Sequence, residues 1–322
     1  MVTILCKVTS YGAADNLWRA FVSQGIPSNL LCLNYDKKRG RAGTLLTKKN
    51  KDFWLEELKK GDTYTIIVSA NTLIMLNLLL GGSKRSFKCL EGHMKEFKNP
   101  PAVFWTGTKY RDNYELFNEV ADSFGIRFRF ALSDLVRLSP ENIQLLHTME
   151  YPDIKKKKSK KFTISHSPGS EERSRMYKGT PEIEEGIRLA SSEVKFVYDH
   201  ISRVSNVRCL NRKAKSHIFI DQIETSIGGI GKNGMEAIAL DCVTMSSWTT
   251  FRPNDFYPPH PVVVVTSADK VRKHIISLVR NKDIYERLKE ETIKWKKYIS
   301  YENTINYIQS VLGDEFRWQT HL

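Results

Sequence analysis

The stretch His217–Ala237, HIFIDQIETSIGGIGKNGMEA, decides the fold of this 322-residue chain. It predicts an apolar strand over residues 217–221, a glycine-rich turn, and a helix over residues 233–240. The glycines of the turn are Gly228, Gly229 and Gly231. A strand, a glycine turn and a helix N-terminus form a site for an anion, because free backbone N–H groups point at the ligand. The stretch therefore predicts an α/β domain that binds phosphate.

A second loop, earlier in the chain, adds positive charge to the predicted site. It follows a strand predicted over residues 162–166 and carries Arg175 and Lys178. Thr180 is the expected N-cap, and Pro181 the first residue, of a helix over residues 181–192. Lys178 would then lie just before a helix N-terminus, where it and Arg175 suit a diphosphate. The alternative is a pair of solvated surface cations. A nucleotide-sugar is the ligand that fits both loops.

Strand-like and helix-like segments alternate in both halves of the chain. The predicted strands are residues 2–8, 28–33, 64–69, 102–105, 127–131, 162–166, 194–198, 217–221, 242–246 and 262–266. The predicted helices are residues 16–23, 54–60, 113–124, 181–192, 233–240, 268–280, 283–298 and 302–312, and one more ends the apolar run 66–80. Alternation at this spacing predicts parallel sheets covered by helices. The expected fold class is α/β, with two facing doubly wound Rossmann-like domains and a cleft between them.

A block of lysines marks the joint between the halves. Residues 155–161, KKKKSKK, repel one another and are expected to form a solvated linker. The predicted domains are an N-terminal acceptor-side domain over residues 1–152, a basic linker over 153–161, a nucleotide-sugar-binding domain over 162–300, and a C-terminal helix over 301–322. Ligands of such sheets bind at the carboxyl ends of the strands, so the cleft is the expected site.

The chain carries a formal net charge of +14. Residues 1–150 hold six more basic than acidic side chains, residues 151–170 five more, and residues 171–322 three more. A basic face of this kind suits nucleic acid, an acidic membrane surface or an acidic polysaccharide. The alternative is a soluble basic surface with no such partner.

Basic residues crowd the segment after the second predicted strand. They are Lys37, Lys38, Arg39, Arg41, Lys48, Lys49 and Lys51. Because the segment leaves the carboxyl end of a strand, we expect it at the mouth of the cleft. A cationic loop there would follow the backbone of a polyanionic acceptor. A solvated loop without a ligand is the alternative.

Cysteine usage points to a reducing compartment. The five cysteines are odd in number, and none forms a C-x-x-C pair. Free buried thiols are therefore expected, as in the cytoplasm. The chain opens on a predicted strand with no cleavage pattern after it, so no secretory leader is expected. The histidines are not spaced as metal ligands, so no metal is expected. The sequence gives no sign of an obligate protein partner either.

Two acidic residues and one further glycine are candidate site residues. Glu236, shortly after the glycine turn, is placed to accept ribose hydroxyls, or it is an acidic residue favoured by the helix dipole. Asp221 ends a strand at its carboxyl edge, as a site residue or as a turn residue. Gly12 follows the first strand and would pass close to a phosphate or sugar. The alternative there is an ordinary turn capped by Asp15 or Asn16.

With these motifs, residues 161–246 resemble the nucleotide-sugar half of GT-B glycosyltransferases of the group-one, family-four-like retaining type, and among them a bacterial and phage subgroup. The subgroup pattern is H-x-P, then R-x-x-K-G-T, a strand ending D-Q, a glycine loop, and E-A-x-A. Its elements here are His166–Pro168, Arg175–Thr180, Asp221–Gln222, Gly228–Gly231 and Glu236–Ala239. The N-terminal half adds Ser10–Gly12 and the pattern W-T-G-T-x-x-R over Trp105–Arg111.

The resemblance implies roles for these residues. Arg175 and Lys178 would bind the donor diphosphate, Glu236 would hold the ribose, and the loop through Asn233 would contact phosphate and sugar. It implies no metal and no cofactor apart from a nucleotide-diphosphate sugar, with a UDP-sugar favoured. The catalytic residue stays open, and the candidates are Asp221, Glu224 and His166. Three elements depart from the pattern: Gly228 replaces a frequent glutamate, Asp241–Thr244 replaces the usual G-x-P-V, and Trp105-Thr106 replaces a frequent histidine.

The expected function is a cytoplasmic, metal-independent, retaining hexosyltransferase, located in the host cytoplasm if the chain is phage-encoded. It would move a hexose, with UDP-glucose as the favoured donor, to hydroxymethylated bases in DNA, as phage DNA glucosyltransferases do. Arg111 is counted with the basic loop as an acceptor contact. One alternative is a cell-surface polysaccharide or lipid-linked sugar glycosyltransferase at an anionic membrane. The other is a non-catalytic relative that binds nucleic acid.

Overall fold

The computed structural model describes residues 1–9, 13–35, 43–61, 63–83, 86–106, 108–132, 134–151, 153–168, 176, 178–223 and 228–313. The chain divides into two compact units. The first unit contains Met1–Thr148 and the chain from Ser300 onward, and the second contains Met149–Ile299. Each unit holds one parallel β-sheet with helices, so the predicted α/β class with two Rossmann-like sheets is confirmed.

The first unit has a seven-stranded parallel sheet among its described residues, in the order β3-β2-β1-β4-β5-β6-β7. Its strands are β1 Val2–Thr9, β2 Ser28–Tyr35, β3 Thr44–Leu45, β4 Tyr64–Val68, β5 Ala102–Trp105, β6 Arg129–Ala131 and β7 Asn142–Gln144. Its first helices are α1 Ala13–Ser23, α2 Lys51–Lys59, α3 Ala70–Leu79, α4 Lys88–Met94, α5 Thr108–Arg111 and α6 Tyr114–Ser123. The central strands are apolar runs because helices cover both faces of such a sheet.

The second unit has a five-stranded parallel sheet in the order β12-β11-β10-β8-β9. Its strands are β8 Thr163–His166, β9 Val197–His200, β10 Ile218–Ile220, β11 Val243–Ser246 and β12 Val263–Val264. Its helices among the described residues are α7 Thr180–Ser191, α8 Asn206–Lys215, α9 Lys232–Ala239, α10 Ala268–Arg280 and α11 Lys282–Trp295. Ile164, Ile218 and Val243 are fully buried and form the centre of its core.

The last described helix, α12 Tyr301–Leu312, returns to the first unit and packs against α1. Two hydrogen bonds support this packing. The Thr148 hydroxyl donates to Thr304 Oγ1 over 2.7 Å, and Asn16 Nδ2 donates to the Thr148 carbonyl oxygen over 2.8 Å. None of the described helices is both long enough and apolar enough to cross a membrane.

The segment over residues 153–161, predicted as a linker, makes contacts with the second unit. Lys158 Nζ donates to the Leu240 carbonyl oxygen over 3.2 Å and lies 3.3 Å from Cys242 Sγ. The Ser159 backbone N–H donates to the Lys215 carbonyl oxygen over 2.9 Å. The middle of the segment is therefore fixed to the ends of α8 and α9, next to the starts of β10 and β11.

In the first unit β3, β7, α4 and α5 lie where no element was predicted, and in the second unit three local features differ from the sequence-based expectation. Helix α8 lies where no helix was predicted, and β9 covers residues 197–200 instead of 194–198. Helix α7 begins at Thr180, and its N-cap is Gly179, with φ +64°. Thr180 is therefore not the cap. Its hydroxyl faces a buried histidine, described below, instead of the free N–H groups of the helix.

Helices α7 and α10 pack closely through Gly186. A Cβ atom at this position would lie 2.6 Å from the Ala268 carbonyl oxygen and 2.8 Å from Val271 Cβ. Glycine is therefore required here by the distance between the helices, although it lowers the helix propensity of α7.

We expect Gly186→Ala to destabilise the protein by about 1–3 kcal/mol, because overpacking outweighs the gain in helix propensity. Gly92→Ala is the matched control, since Gly92 is an exposed helical residue with no atom within 4 Å of an added Cβ. That control should raise the free energy of unfolding by up to about 1 kcal/mol. Urea denaturation measures both changes. Equal stabilisation by the two substitutions would contradict the close packing.

Candidate functional site

The two loops predicted to bind phosphate meet at the carboxyl edge of the second sheet. Strands β8 and β10 are parallel neighbours, and Ile220 pairs with His166 in their register. Because both strands end at this level, the residues that follow them lie side by side. The backbone N–H of Ile223, after β10, donates to the carbonyl oxygen of Lys178 over 3.0 Å and links the two loops.

Lys178 projects its ammonium group into this edge. Nζ donates to the Ser167 carbonyl oxygen over 3.0 Å and lies 3.6 Å from Asp221 Oδ1. Burial lowers the pKa of Lys178 below its usual value, while the charge of Asp221 acts in the opposite direction. The side chain is 15% exposed, so a ligand at the edge can reach the ammonium group.

Asp221 anchors the glycine loop. It is fully buried, and its Oδ2 accepts the backbone N–H of Gly231 over 2.6 Å. Gly231 is the N-cap of α9. A Cβ at Gly234 would lie 2.9 Å from the same Oδ2 and 2.5 Å from Ile230 Cγ1. A side chain at position 234 would therefore displace the carboxylate, which explains the need for glycine there.

The start of the glycine loop is held by the segment after β11. The Gly228 carbonyl oxygen accepts the backbone N–H groups of Thr249 and Thr250 over 3.0 and 2.9 Å. Gly228 has φ +60°, a conformation that favours glycine. The Gly229 carbonyl oxygen accepts Gln222 Nε2 over 2.8 Å. The loop is therefore fixed at both ends by hydrogen bonds to its own unit.

Glu236 forms a buried ion pair that the sequence did not predict. Its Oε2 lies 2.5 Å from Nζ of Lys213, which is fully buried. Lys213 Nζ also donates to Asn233 Oδ1 over 2.6 Å and lies 4.9 Å from the centre of the Phe219 ring. Lys232 Nζ lies 3.6 Å from the second oxygen, Oε1. The carboxylate of Glu236 is thus held with one oxygen toward the core and the other toward Lys232.

Lys213 lies on the buried face of α8, with Cys209 and Leu210 one turn earlier. A lysine at the apolar positions of an amphipathic helix is the signal that could have identified it. The signal is weak here because α8 also carries Arg208, Arg212 and Lys215.

His166 is fully buried between two elements of the site. Its Nδ1 lies 2.8 Å from the Ile220 carbonyl oxygen, and its Nε2 lies 3.0 Å from Thr180 Oγ1. A carbonyl oxygen only accepts, so Nδ1 donates to Ile220 and Nε2 accepts the Thr180 hydroxyl if the ring is neutral. His166 therefore joins the end of β10 to the start of α7.

The remaining candidates lie elsewhere. Lys48 and Lys49 are exposed in a turn after β3, held by hydrogen bonds between Thr47 and Asn50. Arg111, in α5, forms an ion pair with Asp134. These three stay predictions. The residues outside the described ranges are Gly12, Lys37, Lys38, Arg39, Arg41, Arg175 and Glu224. In the described part of the chain, no group of three or more His, Cys, Asp and Glu side chains has a metal-binding arrangement.

The fold matches solved structures that include a glycosyltransferase. Anabaena HepE in complex with UDP and glucose matches with a TM-score of 0.65 at 8% identity, over 97% of this chain and 99% of that chain. A glycosyltransferase from Rickettsia africae matches with a TM-score of 0.53 at 10% identity, over 98% and 99%. The N-terminal domain of trehalose-6-phosphate phosphatase from Candida albicans matches with a TM-score of 0.58 at 11% identity, over 96% of both chains.

No protein-family model and no curated protein sequence matches this chain. At identities this low, structural likeness establishes the fold alone. That fold is the GT-B fold of glycosyltransferases.

We expect Lys213→Met to destabilise the protein by about 3 kcal/mol, because it leaves the carboxylate of Glu236 buried without its main partner. Lys215→Met, on the exposed side of the same helix, should change the free energy of unfolding by less than about 0.5 kcal/mol. The double variant Lys213→Met/Glu236→Leu should recover most of the loss, since it removes both charges. Urea denaturation of the wild type, Lys213→Met, Glu236→Leu and the double variant gives the coupling, with Lys215→Met as the control. Simple additivity would contradict the ion pair.

Proposed function

We propose that this protein is a glycosyltransferase that uses a nucleotide-diphosphate sugar and transfers a hexose to a hydroxyl group on a polyanionic acceptor. One observation carries the proposal. Lys178, Asp221 and the N-terminus of α9 lie together at the carboxyl edge of the second sheet, in a fold that HepE shares. HepE itself binds UDP and glucose, and also UDP-glucose.

The chemistry of the site suits a leaving diphosphate. In this proposal Lys178 and Arg175 bind the diphosphate, and the first turn of α9 adds backbone N–H groups and the positive end of its dipole. Glu236 accepts a ribose hydroxyl through Oε1 once Lys232 turns toward the phosphates. These fixed positive groups stabilise the charge that develops on the departing nucleotide, so no metal is required. UDP-glucose is the favoured donor, and retention at the anomeric carbon follows the family pattern.

The proposed acceptor is DNA that carries hydroxymethylated bases. The net charge of +14 supports a polyanion, because lysine and arginine side chains release counterions from phosphates when they bind. A hydroxymethyl group on a base supplies the attacking hydroxyl. A base inside a duplex must be flipped out, or presented in a single strand, to reach an active site.

A second function is favoured by the surroundings of two catalytic candidates. His166 and Asp221 are fully buried, and each makes hydrogen bonds within its own unit. A polyanion-binding protein that keeps the fold and lacks transferase chemistry would have such residues in structural roles.

Release of nucleotide diphosphate from a panel of UDP-, GDP- and ADP-sugars tests the proposal. The reaction is measured with and without hydroxymethylated DNA, in the presence of a chelator. We expect UDP release that the modified DNA stimulates, whereas unmodified DNA of the same sequence should not stimulate it. No release and no binding of any donor would overturn the transferase and favour the binding protein.

The lowered pKa of Lys178 leads to a pH prediction. Because its pKa lies below that of an ordinary lysine, Lys178 loses its positive charge at a lower pH than an ordinary lysine does. UDP affinity of the wild type should therefore fall toward alkaline pH relative to that of Lys178→Arg, which stays charged. Calorimetric titration measures the ratio of the UDP affinities of the wild type and Lys178→Arg at each pH. Ionisation of UDP itself affects both affinities equally and cancels in this ratio.

Lys178→Met should weaken UDP binding by roughly 10–100-fold at neutral pH, the range for a lost charge-assisted hydrogen bond. Lys195→Met, an exposed lysine of the same unit, is the control and should leave the affinity unchanged. A ratio of wild-type to Lys178→Arg affinity that does not vary with pH would contradict the role given to the ammonium group.

A further inference from the structure

Two lysine-rich segments that are distant in sequence meet on the surface of the second unit. Lys155, Lys156, Lys157, Lys160 and Lys161 are exposed, and Lys156 lies beside Lys296, at the end of α11. We call these six residues the lysine surface. Lys215 extends it, since its carbonyl oxygen accepts the backbone N–H of Ser159 over 2.9 Å.

The lysine surface lies at the amino edge of the second sheet. Residues 155–161 directly precede β8, and Lys215 precedes β10. Lys296 is held there by Asp241, which precedes β11, with Nζ 2.5 Å from Oδ1. Lys178, Asp221 and the glycine loop follow the opposite ends of these parallel strands. The length of a four-residue strand separates the two edges by roughly 10 Å. The lysine surface is therefore distinct from the candidate donor site.

The charge of this surface is only partly balanced. The acidic residues next to it are Glu150, Asp153 and Asp241, and Asp241 is paired with Lys296. Partial burial of its ammonium group lowers the pKa of Lys156, and the charge of Lys296 lowers it further. Two like charges held side by side repel each other, and a bound polyanion offsets that repulsion.

We propose that the lysine surface binds the phosphate backbone of nucleic acid, without regard to base sequence, and holds it at a distance from the donor site. The inference rests on the proposed function only in that the bound nucleic acid is the polyanionic acceptor. The six residues are all lysines, which contact phosphates as point charges, and no arginine is among them to read a base edge through a bidentate contact.

The spacing of the charges fits a phosphate backbone. Residues 155–161 contain five exposed lysines in seven positions and form neither helix nor strand. A chain reaches about 3.3–3.6 Å per residue, so the segment offers one exposed positive charge about every 5 Å. A nucleic acid strand carries one negative charge about every 3.4 Å.

A membrane is the less suitable partner. Stable attachment to an anionic bilayer takes an apolar anchor in addition to a basic patch. The exposed large hydrophobic side chains of the described chain are Val22, Phe53, Leu116, Met176, Val197, Val207, Val264 and Ile293. None of them belongs to residues 153–161, and Ile293 alone is close to Lys296 in sequence.

Binding of the full chain to a fluorescent DNA duplex, followed by anisotropy at several salt concentrations and without any nucleotide, tests the inference. The test variant is Lys155→Gln/Lys156→Gln/Lys157→Gln. The control is Lys270→Gln/Lys273→Gln/Lys282→Gln, which removes three exposed lysines and the same charge from α10 and the start of α11 of the same unit.

The slope of log K against log salt is negative, and we expect it to become less steep by about 2–3 in the test variant. Each lost phosphate contact accounts for about 0.9 of the slope. The control should change the slope by less than half as much. The affinity of the test variant for UDP should equal that of the wild type, because the donor site lies at the other edge. Equal slopes for the test and control variants would overturn the inference.

Two further outcomes separate the hypotheses. If the wild type does not bind UDP but the test variant still loses the expected slope, the proposed function fails and the lysine surface stands. Vesicles of phosphatidylcholine with about one third phosphatidylserine form the second arm, because such surfaces attract polybasic segments. Lysine-dependent binding to the vesicles together with no binding to DNA would overturn the inference.

Discussion

The arrangement of the loops at the carboxyl edge of the second sheet depends on one hydrogen bond, from the backbone N–H of Gly231 to Asp221 Oδ2. A fully buried carboxylate is costly unless donors surround it, and the start of a helix has N–H groups without partners inside the helix. Each therefore satisfies the other. The glycines at positions 231 and 234 leave room for this approach. The bond fixes the first turn of α9, and Lys178, beside the second carboxylate oxygen, aligns the loop before α7 with it.

The buried strands and the glycine loop could be predicted because their signals are local. An apolar run bounded by turn residues is enough to identify a strand such as β4 or β5. Helix α8 could not be identified in this way. Four of its ten residues are basic, and its apolar face is limited to Cys209, Leu210 and Ala214. It is stabilised by packing on the sheet, together with a capping bond from the Arg208 N–H to the Ser205 hydroxyl. Strand β3, with two residues, is too short to show a period.

The residues of the site also divide into those predicted from local sequence signals and those that depend on tertiary packing. Lys178 and Glu236 were predicted from motif and spacing, but the partner of Glu236 comes from α8 and depends on how two helices pack. Thr180 shows a different limit. Its sequence context favours a cap, yet the buried ring of His166 takes the hydroxyl, and Gly179 takes the cap position. A sequence motif indicates which hydrogen bonds or ion pairs a side chain can form, and the tertiary structure determines the partner with which it forms them.

The return of α12 to the first unit has a consequence for biosynthesis. The second unit is one continuous segment, whereas the first is interrupted by it. A ribosome delivers the chain from its N-terminus, so the strands of the first unit emerge early, but the helix that covers α1 emerges after the entire second unit. The second unit can complete its core as soon as it is synthesised. The domain that is begun first is therefore the one that is finished last.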